Sequence, residues 1–138
     1  MSILKSVQDW LAQYPGMELV PLTDQTKETA SSYAVAPVGN SATTRDITGT
    51  RYYHNSYLFY ARECALDEAD RQANHDLIEN LTDWIEAQSD SGNLPVLPGK
   101  YAAESVEASN GMLMDVGSDG LGIYQIQIQM TLYKRSDT

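Results

Sequence analysis

The segment from Gly111 to Lys134 constrains the fold more than any other part of this 138-residue chain. After a glycine-rich stretch it alternates apolar and polar side chains, with Tyr, Ile, Met and Leu at the even positions 124 to 132 and Gln or Thr between them. A period of two predicts a long β-strand with one face on a core. The polar face carries Gln125, Gln127 and Gln129, which form a neutral, hydrogen-bonding stripe. This stripe is either a solvent face or a contact surface for another subunit.

Composition excludes several classes of protein. Nineteen acids against nine Lys and Arg give a net charge of −10, which argues against a surface that wraps nucleic acid. No segment reaches the roughly 18 consecutive apolar residues of a membrane span, and the N-terminus lacks the apolar region of a secretion signal. We therefore expect an intracellular product with no membrane partner. The single cysteine, Cys64, allows no intramolecular disulfide, and no Cys/His cluster suits zinc.

Helical periodicity predicts two helices. Apolar residues recur at helical spacing near the N-terminus, at Ile3, Leu4, Val7, Trp10 and Leu11. The longest helix is predicted from Asp67 to Gln88, where a second apolar stripe runs through Leu66, Ala69, Ala73, Leu77, Leu81, Trp84 and Ile85. Both helices have one apolar side, so each needs a sheet or another helix to cover it.

The remaining strands are predicted at Tyr33 to Val38, Tyr52 to Arg62 and Tyr101 to Ser109. The aromatic run from Tyr52 has aromatics on both faces, which indicates a central strand with a helix on one side and a partner on the other. The even positions 52, 54, 58 and 60 share one face, and the odd positions 53, 57, 59 and 61 share the other.

Four connections complete the predicted topology. Gly39 to Thr44 is rich in Ser, Thr, Asn and Gly and is predicted as a loop. Together with the residues up to Arg51, it is either an arm that becomes ordered on a neighbouring subunit or an ordinary surface loop. Asn93 to Gly99, NLPVLPG, is predicted as an irregular strap. Turns are predicted near Asn110-Gly111 and near Ser118-Asp119-Gly120. The chain is therefore predicted to be a single α+β domain over residues 1–138, with a mainly antiparallel sheet of four to five strands packed against two helices.

Residues with catalytic or metal-binding chemistry are scarce. His54 lies on the aromatic strand and His75 on the polar side of the long helix, and the sequence points to no nucleophile or substrate pocket for a catalytic histidine. Asp115, Asp119 and Glu104 lack the spacing of a calcium loop. We therefore predict a non-enzymatic protein with no catalytic, metal-binding or cofactor-binding residues, and no cofactor.

Three segments resemble a known family: RDITGTRYYHNSYLFYARE, the strap LPVLPG, and the closing GMLMDVGSDGLGIYQIQIQMTLYKR. They are similar to the tail-terminator or minor capsid proteins of long-tailed bacteriophages and prophages, and the resemblance runs from about Arg45 to the end of the chain. Some members carry an inherited label of chloramphenicol resistance protein. The His-His-x-x-x-Asp-Gly motif of that acetyltransferase has no counterpart at His54 or His75.

The resemblance implies a virion subunit of the tail or neck, made in the bacterial host cytoplasm. Such subunits form a ring, usually a hexamer, that caps the tail tube. The implied partners are further copies of the chain, the major tail tube protein and the head-tail connector protein. DNA passes through the ring without specific binding, which an acidic wall favours by repelling phosphates.

Candidate interface residues lie in the loop, on the aromatic strand and on the glutamine stripe: Arg45, Asp46, Thr48, Arg51, Tyr52, His54, Gln125, Gln127 and Gln129. Within virion assembly, the alternative is a head-closure or neck adaptor protein of the same fold. From other classes, a small-molecule-modifying enzyme and a free-standing ligand-binding module stay open. The enzyme requires turnover that depends on His54 or His75, and the binding module requires a concave apolar pocket.

Overall fold

The computed structural model describes residues 2–15, 22–23, 32–45, 47–64, 68–116 and 120–134. Its elements are α1 (Ile3–Leu11), β1 (Leu22–Thr23), β2 (Ser32–Arg45), β3 (Arg51–Cys64), α2 (Glu68–Asp90), β4 (Tyr101–Val116) and β5 (Leu121–Lys134). The strands form one sheet in the order β1-β2-β3-β5-β4, and all pairings are antiparallel except the short parallel contact of β1 with β2. The predicted α+β class, a mainly antiparallel sheet with two helices packed on it, is confirmed.

The alternation in β5 determines which side of the sheet is the core. The even positions from Tyr124 to Leu132 are buried, and the odd positions between them are exposed or half-buried. β5 pairs with β3 on one side and β4 on the other, and the β3 register sets Phe59 opposite Ile126 and Tyr57 opposite Ile128. Both predictions, the one-sided glutamine strand and the central aromatic strand, are confirmed.

The core lies between this face of the sheet and both helices. Phe59 and Ile126 are fully buried beside side chains from α1 and α2, and each such side chain stabilises the fold by about 1.5–3 kcal/mol. The two helices meet through Trp10 and Trp84, whose ring centroids are 5.2 Å apart. One apolar layer therefore joins the sheet to both helices.

The N-terminal helix is held at both ends. Its first turn is capped by Ser2, whose Oγ accepts a hydrogen bond from the Lys5 backbone N–H at 3.0 Å. Near its end the Trp10 indole N–H donates to the carbonyl of Asn93 at 2.9 Å. Asn93 starts the predicted strap, which is irregular as expected and buries Leu97. The strap therefore fixes α1 to the rest of the chain.

The buried face of α2 differs from the predicted stripe in its first half. Leu81 and Ile85 are buried as predicted, but Ala69 and Ala73 are exposed and Leu77 is half-buried. Asn74 and Ile78 take their place, because the Asn74 Nδ2 donates to the Tyr124 hydroxyl at 3.1 Å inside the core. A polar partner in the sheet thus sets the rotation of the helix. The predicted start, Leu66 and Asp67, lies outside the described residues.

The loop predicted from Gly39 to Thr44 is wrong, because β2 runs on to Arg45. Its backbone pairs with β3, with Asn40 opposite Asn55 and Thr44 opposite Tyr52, so hydrogen bonds to β3 hold this polar segment extended. The pairing register with β3 shifts twice, between Pro37 and Asn40 and between Ser41 and Thr44, so that extra residues of β2 are accommodated within the strand. The connection to β3 shrinks to residues 46–50, and Asp46 lies outside the described residues.

The turn predicted at Asn110-Gly111 is also wrong, since β4 continues through it to Val116. The register shifts between Ser109 and Met112, and a Cβ added at Gly111 would overlap the Ile78 Cγ2 of α2. The glycine therefore permits the close approach of helix and strand. The second predicted turn falls between β4 and β5, where Gly120 has a φ of 80°; Ser118 and Asp119 lie outside the described residues.

Replacing Gly111 by Ala is expected to lower the free energy of unfolding by about 1–3 kcal/mol, since the added methyl overlaps Ile78. Ile78→Ala removes the overlapping atom, but this substitution itself also lowers the free energy of unfolding. In chemical denaturation, the double variant should therefore lose less than the sum of the single losses, with a coupling of at least about 0.5 kcal/mol. Strict additivity would contradict the close contact.

Replacing Tyr124 by Phe is expected to cost about 1–3 kcal/mol of unfolding free energy, because the buried Asn74 amide loses its partner hydroxyl. The matched control is Tyr133→Phe, which removes a hydroxyl from a half-buried ring of the same strand. Thermal or urea denaturation of both variants makes the comparison. Equal, small losses would show that the Asn74 bond does not set the helix rotation.

Candidate protein interface on the open face of the sheet

On the side of the sheet opposite the helices, five rows of residues from β3, β5 and β4 form a surface, which we call the open face. On the same side, Ala34 of β2 is buried opposite Tyr60, and the row beyond the open face begins with Arg62 opposite Ile123. The register places one residue from each of β3, β5 and β4 in each of its five rows. The rows are Tyr52, Tyr133 and Ala102; His54, Thr131 and Ser105; Ser56, Gln129 and Glu107; Leu58, Gln127 and Ser109; and Tyr60, Gln125 and Met112.

The open face is accessible and almost free of charge. None of its residues is buried, and Met112 is 44% exposed. Glu107 is the one formally charged side chain among them, whereas the whole chain has a net charge of −10 with His neutral. Depletion of charge with enrichment of Tyr and Met is typical of the central part of a protein interface.

Contacts within the open face hold several side chains in place. The rings of Tyr52 and Tyr133 lie 6.0 Å apart across β3 and β5. One row further along, the His54 Nδ1 lies 3.4 Å from the Thr131 Oγ1. Cross-strand pairs of this kind stabilise a sheet by about 0.2–1 kcal/mol each. They also orient the aromatic and polar groups before a partner arrives, which lowers the entropic cost of binding.

The structure divides the predicted interface residues into two surfaces. Tyr52, His54 and the three glutamines all lie on the open face. Arg45, Thr48 and Arg51 instead line a cleft of about 470 Å³ where β2 and β3 are joined, together with Gly49, Thr50, Tyr53 and Lys134. Arg45 and Arg51 are directly paired across the two strands. Asp46 lies outside the described residues.

Sequence reasoning missed the contributions of β4 and of Lys134. Ser105, Glu107 and Ser109 alternate with the buried Val106 and Ala108, and this period of two was available as a signal. Met112 falls beyond a register shift, so simple alternation would have assigned it to the wrong face. No sequence pattern predicts that Lys134 lies near Arg45 and Arg51, because their proximity depends on the order of the strands in the sheet.

The described residues also bear on other kinds of site. No group of three or more His, Cys, Asp or Glu side chains among them is arranged to hold a metal ion. Burial raises the pKa of Tyr57, although the hydrogen bond from Asn55 opposes the shift, so the hydroxyl stays protonated at neutral pH. No helix within the described ranges has the length and hydrophobicity to cross a membrane.

No protein-family model matches the chain, and no curated protein matches it.

Proposed function

We propose that the chain is a non-enzymatic virion structural protein, a tail terminator or tail-completion subunit that caps a phage or prophage tail tube as a ring and joins it to the head connector. The observation that supports assembly is the open face, which is uncharged except for Glu107 in a chain of net charge −10. The assignment to a tail depends on the resemblance of the segments that begin at Arg45, Leu94 and Gly111 to tail-terminator proteins.

The charge distribution explains how such acidic copies approach one another. Two unit charges 4 Å apart interact by about 1 kcal/mol in bulk water and by more near a protein surface. Six exposed acids of α2, on the other side of the sheet, carry much of the negative charge: Glu68, Asp76, Glu79, Asp83, Glu86 and Asp90. The open face therefore offers partners a surface on which like-charge repulsion is weak.

The proposed mechanism is geometric. A chain that presents different surfaces to its two neighbours in the assembly closes into a ring when the rotation between neighbours divides the circle. One side of the ring matches the last ring of the tube, and the other side does not template a further tube ring. Tube growth stops there, and the free side meets the connector.

The open face is tested by adding charge to it. Gln127→Lys with Gln129→Lys changes two exposed residues, so the melting temperature should stay unchanged while association weakens at least about tenfold, because two desolvated charges are placed in the interface. The matched control is Asn80→Lys with Ala87→Lys, which adds the same charge on exposed positions of α2. Light scattering over a range of protein concentrations measures the association.

The function itself is tested with the major tail protein and the connector protein encoded in the same genome. A tail terminator binds the ends of assembled tubes and limits their length when added below stoichiometric amounts, which electron microscopy measures. A neck adaptor binds the connector and leaves tube length unchanged. Monomeric protein that binds neither partner would overturn the proposal, and would favour a free-standing binding module.

A further inference from the structure

The charged side chains of this chain separate into a basic surface and an acidic surface at different places on the sheet. We propose that the basic surface of one copy docks into the acidic surface of the next copy, and that this contact orders the copies head to tail. The inference rests on the proposed ring and adds which surfaces meet within it.

The basic surface, which we call the basic tip, consists of Arg45, Arg51 and Lys134. These residues line one cleft at the end of the sheet where β2 turns into β3. All three are exposed, and none forms an ion pair with a described residue. The chain has only nine Lys and Arg against nineteen acids, so three exposed cations in one cleft are a marked local excess of positive charge.

The acidic surface, which we call the β4 groove, lies at the outer edge of the sheet. Glu86 and Asp90 from the last turns of α2 and Glu107 from β4 line a groove of about 380 Å³ with Ser89, Ser105 and Ser109. The three carboxylates are exposed, and none forms an ion pair with a described residue.

The groove borders an edge of the sheet. Among the described strands, β4 pairs with β5 alone. On its other side the Val106 N–H donates to the Ser89 Oγ at 3.0 Å, which ties α2 to this edge. An edge strand is a common docking place for a second chain. The groove therefore places three carboxylates and three serines beside a sheet edge.

A second copy of this chain is the occupant that the charges favour. Arginine pairs well with carboxylates, because its planar guanidinium can form two parallel hydrogen bonds to them. Nucleic acid is complementary to the basic tip alone, whereas a second copy carries both the basic and the acidic surface. The basic tip and the β4 groove lie at different places on one subunit, so each copy offers one surface to each neighbour. Such a contact is heterologous and generates rings or filaments.

The experiment uses two variants of the whole chain with reversed charges. The tip variant carries Arg51→Glu and Lys134→Glu, and the groove variant carries Glu86→Lys and Glu107→Lys. Each variant alone brings like charges together at the contact, so the concentration for half-assembly should rise at least about tenfold. Mixed in equal amounts, the two variants present opposite charges at every contact and should assemble again, as an alternating ring with an even number of subunits.

The controls separate this contact from general charge effects. Asp76→Lys with Glu79→Lys makes the same charge change in the first half of α2, outside the β4 groove. Alone it should assemble like the wild type, but it should not bring the tip variant into closed rings, because the reversed tip still meets an acidic groove. Raising the salt concentration from about 0.1 M to about 1 M shortens the screening length from about 10 Å to about 3 Å and should weaken wild-type assembly. Native mass spectrometry counts the subunits, and melting temperatures confirm that every variant is folded.

The outcomes distinguish the two proposals. Recovery of assembly in the mixed sample, and not with the control, supports the pairing of tip and groove. Wild-type assembly that both reversed variants retain would overturn the pairing and leave the ring. Reversed variants that fail alone and also fail when mixed would overturn the pairing as well. A wild-type chain that stays monomeric, alone and with tail tubes, would overturn the ring and the pairing together.

Discussion

The antiparallel pairing of β5 with β3 is the interaction on which the rest of the structure depends. Its register places Phe59 and Ile126 together under the helices and turns Tyr60 and Gln125 to the other side. A shift of one residue would exchange the two faces, so that glutamines entered the core and isoleucines met solvent. The same register that builds the core therefore builds the open face, and substitutions that shift it would damage stability and the proposed assembly together.

The second organising feature is the separation of charge. Acids concentrate on α2, exposed cations gather at the end of the β2–β3 hairpin, and the open face between β3 and β4 is nearly neutral. Burying the apolar side of α2 requires only that its outer side be polar. The acidic bias of that outer side goes beyond this requirement, and in the proposed ring it sets a preferred relative orientation of neighbouring copies.

The sequence was a good guide wherever a pattern had a single period. The alternation from Tyr124 to Leu132 permitted one strand with one buried face, and the structure has it. In α2 two possible buried sides overlap. Whether Ala73 or Asn74 faces the core depends on the Tyr124 hydroxyl, which lies fifty residues away in the sequence. Hydrophobic periodicity predicted that the apolar Ala73 is buried, whereas the buried hydrogen bond places Asn74 in the core.

Glycine was the other source of error. Asn110-Gly111 has the composition of a tight turn, but Gly111 is needed where α2 crosses β4, a contact between elements that no local pattern encodes. The candidate interface had the same limitation. The glutamines were identified from β5 alone, whereas the face of Met112 depends on a register shift in β4 and the position of Lys134 beside Arg45 depends on the order of the strands. Local chemistry predicted the elements, and the topology decided which of them share a surface.

The attachment of α1 also has a consequence for synthesis in the cell. The Trp10 indole binds a carbonyl 83 residues further along the chain, so α1 makes this contact only after Asn93 has been synthesised. At about 5–20 residues per second the interval is roughly 4 to 17 s, during which Val7 and Leu11 have no core to enter. An isolated helix of nine residues is marginal in water, so α1 gains its stability when the strap and the sheet are in place, and the speed of translation becomes part of folding.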